Sequence, residues 1–231
     1  MIDLLRCNFH ELESKKAPFV SLDALYVPVD VFFLKNATHK VRSRAEASLN
    51  RHQTPILKTH YLDQNLDNLR CVRADIAEWI DGSVKTINVV RNPCDVMASF
   101  LAFEKSFRVI KDQREWLNLS GANWVRHVTG WAGRQNCLTV RFEDILCDTS
   151  LVLDQLEVFL QCERETLVRL PPKFRSRWDA RLARVKINSL CTEIYVTGDS
   201  TPLADCFNDS DLNEFKDIVG PTAKKLGYDS I

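Results

Sequence analysis

Three apolar runs in this chain each hand over to a cation. "PILKTHY" from residue 55 carries Lys58 and His60, "VKTINVV" from 84 is followed by Arg91, and "CLTVRF" from 137 brings Arg141, Phe142, Glu143 and Asp144. Lys58 and His60 are two residues apart, so an extended strand puts both side chains on one face. Ligands of parallel α/β sheets bind beyond the carboxyl ends of the strands. If these strands are neighbours, Lys58 and Arg91, with Arg141 as a further candidate, converge on one small volume beside a helix that opens at Pro93. Helix amides and a guanidinium fork together hold a phosphate-type anion. Each residue also has a plainer reading. Arg91 is then a solvated strand-end residue or a partner for Asp95 or Glu143, Ser99 bonds back to its own helical turn, and His60 is satisfied by a backbone carbonyl.

The surrounding pattern supplies the elements that must position these groups. The three runs read as buried strands. After Pro93, the residues Val96, Phe100, Phe103 and Phe107 recur at steps of three or four and predict one apolar helical stripe. "QREWLNLSGANWVRHVTGWAGRQ" carries Trp116, Trp124 and Trp131, and Gly121 is expected to break it into two helices. Val152, Leu156, Phe159 and Leu160 predict a helix over 149–161. Leu212, Phe215 and Val219 form a last helical face, expected to be interrupted at Gly220 and Pro221. Strands separated by helices imply parallel pairing through right-handed crossovers, hence an α/β fold with a parallel sheet flanked by helices. The stretch 164–207 fits no element clearly.

With 231 residues, 45% hydrophobic and 27% charged, the chain suits a single domain over 1–231, two small domains being the alternative. Its 31 basic and 31 acidic residues cancel, so no global field draws it to nucleic acid or an acidic membrane, and an anion site has to be local. No apolar run has the length to cross a bilayer, and "MIDLLRCNFHELESKK" lacks the order of a secretion signal, which predicts a cytoplasmic protein with no membrane partner. The eight cysteines make no C-x-x-C pair, which disfavours structural zinc and redox motifs. G-x-x-x-x-G-K-[ST] is absent, which disfavours a nucleotide kinase. Cys94, beside the expected helix N-terminus, could have a lowered pKa, but no Cys-x5-Arg loop surrounds it. The basic stretch 173–186 holds Phe174 and Trp178 with Arg177, Arg181 and Arg184. It reads either as a solvated helix face or as a cover for an anion; as an RNA platform it is opposed by the net neutrality.

At this level of detail "INVVRNPCDVMASF" resembles the 3′-phosphate-binding segment of the sulfotransferases, in which a strand leads into Arg-(Asn or Asp)-Pro-x-Asp-Val and a serine stands eight residues after the arginine; Arg91 and Ser99 have that spacing. "PILKTHY" is similar to that family's Lys-(Ser or Thr)-His segment. "NWVRHVTGWAGRQNCLTVRFEDILCD" resembles its Trp-rich helix and Arg-Tyr-Glu-Asp strand end, and "FKDIVGPTAKKLGYDS" its C-terminal helix in bacterial members.

The resemblance implies a P-loop nucleotide-hydrolase-like fold and transfer of a sulfuryl group from 3′-phosphoadenosine 5′-phosphosulfate (PAPS) to a hydroxyl or amine of a small-molecule or carbohydrate acceptor. It makes His60 the general base and Lys58 the stabiliser of charge on the transferring oxygens. Arg91 and Ser99 hold the 3′-phosphate, and Phe142 stands near the adenine where the family usually has a tyrosine. The product is adenosine 3′,5′-bisphosphate (PAP), and no metal is needed. Two departures stand out. The family's Gly-containing phosphosulfate loop has no counterpart before Gly82, the first glycine of the chain, so the expectation is an N-terminally truncated fold or a degenerate relative. The Arg-Lys-Gly segment near the C-terminus is also missing. The competing reading is a non-catalytic PAP-binding or protein-interaction remnant. Oligomeric state is left open.

Overall fold

The structure is a computed structural model that describes residues 4–5, 8–9, 27–32, 37–51, 56–58, 65–105, 108–164, 166–168 and 201–229. It divides into two units, one of residues 1–85 with 146–197 and one of 86–145 with 198–231. The basic stretch 173–186 and His60 lie outside the described residues.

In the first unit, β1 (Val27–Pro28) pairs in parallel with β2 (Leu57–Lys58), Pro28 opposite Lys58. The strand at 27–28 lacked a sequence signal, two residues being too few to show alternation. A 3-10 turn, Val29–Phe32, leads toward α1 (His39–Arg51), and Arg42 Nε donates to the Val31 carbonyl at 3.2 Å. Helices α2 (Asn65–Val72) and α3 (Ala74–Ser83) pack against each other, burying Leu69, Ile76, Ala77 and Ile80. Arg73, between them, bonds Glu46 and Asp75 and lies over the Phe32 ring at 5.4 Å.

The second unit is built on β3 (Thr86–Val90) and β4 (Cys137–Arg141), which pair in parallel over their full lengths, Val90 opposite Arg141. Between them run α4 (Pro93–Lys105) and α5 (Gln113–Ala132), and α6 (Phe142–Cys147) follows β4 directly. Next, α7 (Thr149–Leu160), capped by Asp148 on the Leu151 amide at 3.0 Å, returns the chain to the first unit, and α8 (Asp209–Lys225) completes the second. Parallel pairing across helical connections makes this an α/β fold, as the pattern predicts.

Helix α5 packs on α8, α4 and both strands. The core gathers Val90, Met97, Leu101, Trp116, Leu117, Trp124, Val128, Phe215 and Val219. The tryptophan spacing thus marks a truly buried face. Asp112 caps α5 by accepting from the Glu115 amide at 2.9 Å, and Asn208 caps α8 by accepting from the Asp211 amide at 2.9 Å.

Two sequence expectations, both of helix breaks, do not hold. Gly121 does not divide α5, which runs unbroken from 113 to 132. A β-carbon at 121 would stand 2.9 Å from Phe215 Cε2 and 3.2 Å from Val219 Cγ1, so the glycine lets α8 approach rather than ending α5. Gly220 and Pro221 likewise lie inside a continuous α8, because the buried faces on both sides hold the helix against its weak local propensity. Finally, α4 buries Pro93, Met97, Ala98 and Leu101, while Phe100 and Phe103 are 38% and 49% exposed. The aromatic stripe is a flank of the helix; Phe100 meets Trp116 with ring centroids 5.5 Å apart.

Candidate functional site at the β3–α4 turn

Val90 is the last residue of β3 and Pro93 the first of α4, so Arg91 and Asn92 form the turn between strand and helix. Proline fits the first helical position, where its missing N–H costs nothing. Asn92 is the cap: its Oδ1 accepts from the Cys94 amide at 2.9 Å, and its carbonyl accepts from Val96 at 3.0 Å.

Arg91 lies with its guanidinium carbon 5.0 Å over the Phe142 ring. Its Nη2 donates to Asp95 Oδ2 at 3.2 Å, which bears out the plainer reading for that one nitrogen. Its Nε is shielded from solvent and has no hydrogen-bond partner. The side chain as a whole is 40% exposed, and Nη2 alone is bonded to Asp95, so the guanidinium keeps N–H groups that an anion can reach. Ser99 is exposed on α4. Arg91, Asp95 and Ser99 follow at steps of four, so they form one row along the start of the helix.

Arg141 takes the opposite direction from the expected convergence. Parallel partners face one side and successive residues alternate, so Arg141 shares Val90's side while Arg91 and Phe142 take the other. The contacts agree. Arg141 Cζ lies 4.5 Å over the Tyr228 ring, and Nη1 donates to the Gly227 carbonyl at 3.4 Å. Lys58 closes β2 in the first unit.

Sequence reasoning left one group without its purpose. Glu143 accepts from the Asn92 amide at 2.9 Å through Oε1 and from the Tyr228 hydroxyl at 2.7 Å through Oε2. Burial pushes its carboxyl up, but the Asn92 amide, the Tyr228 phenol and the Arg141 charge outweigh that and hold it below the ordinary glutamate value. Burial, followed by the bond to Glu143, pushes the Tyr228 phenol well above its ordinary value, so it stays protonated and donates. Tyr228 is placed by a helix end the sequence does signal. Gly227, at φ +80°, closes α8 with its amide on the Lys224 carbonyl and the Tyr228 amide on the Ala223 carbonyl, each at 3.0 Å. The lowered thiol considered for Cys94 is not found: burial pushes it up, and the Lys216 charge only partly opposes this.

Residues 2–174 match the family model of the sulfotransferase domain, well over half of the chain. The chain belongs to the sulfotransferase family. No curated protein matches it. Membership supports sulfuryl transfer as the general chemistry of this sulfotransferase chain and a transferase as its enzyme class. The matched range holds Arg91, Ser99, Phe142 and Glu143, while α8 and Tyr228 lie beyond it. Among the described residues of the sulfotransferase, no helix is long and apolar enough to cross a membrane. No group of three or more His, Cys, Asp or Glu among them could hold a metal ion.

Proposed function

We propose that this protein is a cytoplasmic, metal-independent, single-domain sulfotransferase that uses PAPS to sulfate a hydroxyl or amine of a small-molecule or carbohydrate acceptor. The observation that carries the reading is Arg91: a part-exposed guanidinium seated on an aromatic ring at a helix start. In this reading Arg91 and Ser99 hold the 3′-phosphate and Phe142 borders the adenine. When bound, PAPS supplies an activated sulfuryl group. His60 takes the proton of the acceptor as its oxygen or nitrogen bonds to sulfur, and Lys58 balances the charge that collects on the bridging oxygen as the sulfur–oxygen bond to PAP breaks. Positioning and fixed cations lower the barrier, with no covalent bond to the protein.

The test is transfer of radiolabelled sulfate from PAPS to a panel of phenols, sugars and amines, alongside calorimetric titration with PAP. His60→Ala should cut turnover by about a hundredfold or more, the scale of general-base catalysis, while leaving PAP affinity largely unchanged. Undiminished turnover would remove His60 from the mechanism. Tight PAP binding with no turnover on any acceptor would favour a binding remnant, and no PAP binding at all would end the reading.

A further inference from the structure

Two neighbouring residues of one strand end hold two neighbouring residues of the other. Phe142 lies under the Arg91 guanidinium at 5.0 Å. Glu143, next in the chain, accepts from the Asn92 amide at 2.9 Å. Its second oxygen accepts from Tyr228 at 2.7 Å. Tyr228 is 5% exposed, and its other ring contact is Arg141, which is also bonded to the Gly227 carbonyl. A carboxylate close to an anion site would ordinarily repel the ligand. Here each oxygen of Glu143 already has a donor, which spreads its charge into the protein.

We propose that Glu143 and Tyr228 are positioning residues for the 3′-phosphate site: Tyr228 orients the Glu143 carboxylate, Glu143 holds the Asn92 amide, and the β3–α4 turn is thereby fixed with the Arg91 guanidinium presented to the phosphate. The inference rests on the PAP-binding reading above and extends it to a segment outside the matched sulfotransferase range. Neither side chain touches the nucleotide. A rigid turn keeps the guanidinium in place before the ligand arrives, so less conformational entropy is lost on binding. Without the clasp, Arg91 has only the exposed Asp95 and the Phe142 ring to hold it.

The experiment is calorimetric titration of PAP and of adenosine 5′-phosphosulfate, which lacks the 3′-phosphate, against wild type, Glu143→Ala, Glu143→Gln and Tyr228→Phe, with hydrogen exchange read at the Asn92 amide. Loss of one charge-assisted bond predicts about a tenfold weaker PAP affinity for E143A and a smaller loss for Y228F, with the affinity for adenosine 5′-phosphosulfate unchanged. E143Q should recover most of the loss, since an amide oxygen can still accept from Asn92 and its NH₂ can meet the Tyr228 oxygen. Asn92 exchange should quicken in E143A and Y228F. If the variants weaken both ligands equally, Glu143 and Tyr228 only support the fold and the proposal is wrong. If they bind PAP as wild type does, the clasp is wrong while the PAP reading stands. If wild type itself fails to bind PAP, the functional reading fails first and the clasp with it.

Discussion

The Phe215 ring lies so close to Gly121 that a β-carbon at that position would meet Cε2 at 2.9 Å. In an open helix, exchanging glycine for alanine gains up to about 1 kcal/mol. Here the added methyl must displace an aromatic ring that is fully buried, and overpacking of that kind costs about 1–3 kcal/mol. Gly121→Ala should therefore lower the urea midpoint with an unchanged m-value, and Phe215→Leu should relieve part of the loss in the double variant. A higher midpoint for G121A would show that α5 and α8 do not meet this tightly.

Pro221 has the opposite balance. It is exposed in the interior of α8 and supplies no N–H to the helix. A proline there costs about 3 kcal/mol relative to alanine, offset by up to about 1 kcal/mol because it stiffens the unfolded chain. Pro221→Ala should raise the melting temperature by several degrees, and a fall would count against the continuous helix.

Arg114 on α5 and Glu214 on α8 form a two-pronged pair, Nε to Oε2 at 2.8 Å and Nη2 to Oε1 at 3.0 Å, and Asn118 adds a bond at 2.9 Å. These bonds, Arg114 first and Asn118 second, depress the Glu214 carboxyl from 4.5 to about 2. Because the folded value lies below the unfolded one, the pair contributes fully above the ordinary value of 4.5 and is lost as the pH falls toward about 2. Both groups face solvent, so the effect is small. Glu214→Gln should flatten the decline of stability in urea as the pH drops through that window and leave its shape at neutral pH alone. Identical acid profiles for variant and wild type would remove the pair from the ledger.

Asp95 competes for Arg91. In the proposed site, a 3′-phosphate must share or displace a carboxylate that bonds Nη2 at 3.2 Å. Asp95→Asn should tighten PAP binding by roughly two- to fivefold, the worth of an exposed ion pair, with little change for adenosine 5′-phosphosulfate. Arg91→Ala should weaken PAP far more than the donor lacking the 3′-phosphate. Equal losses for the two ligands would contradict the assigned contact.

Sequence spacing alone located β3 and β4 and the start of α4 at Pro93, because alternation and helical period are local signals carried by adjacent residues. The pairing of Arg91 with Ser99 and the interest of Phe142 came from the resemblance to the sulfotransferase segments, since no local period singles out those positions. His60 and the stretch 173–186 lie outside the described residues. Gly121, Gly220 and Pro221 were misread as breaks because propensity is a weak local preference, and the α5–α8 packing outweighs it. Val96, Phe100 and Phe103 do share α4, but hydrophobicity marks a helix flank without saying which side meets the core.

What only the tertiary structure decided is which groups meet across long stretches of chain. Tyr228 and Glu143 are 85 residues apart and Asn92 and Glu143 are 51, and no periodicity joins such positions. Nor does a strand-end arginine announce its side of the sheet: Arg91 and Arg141 part company only because Val90 and Arg141 pair in register. Residue types and local spacing determined that an anion-binding arginine could stand at a strand end beside a helix start. Register and the return of α8 determined that Arg91 lies over Phe142, that Arg141 lies over Tyr228, and that Glu143 holds the Asn92 amide.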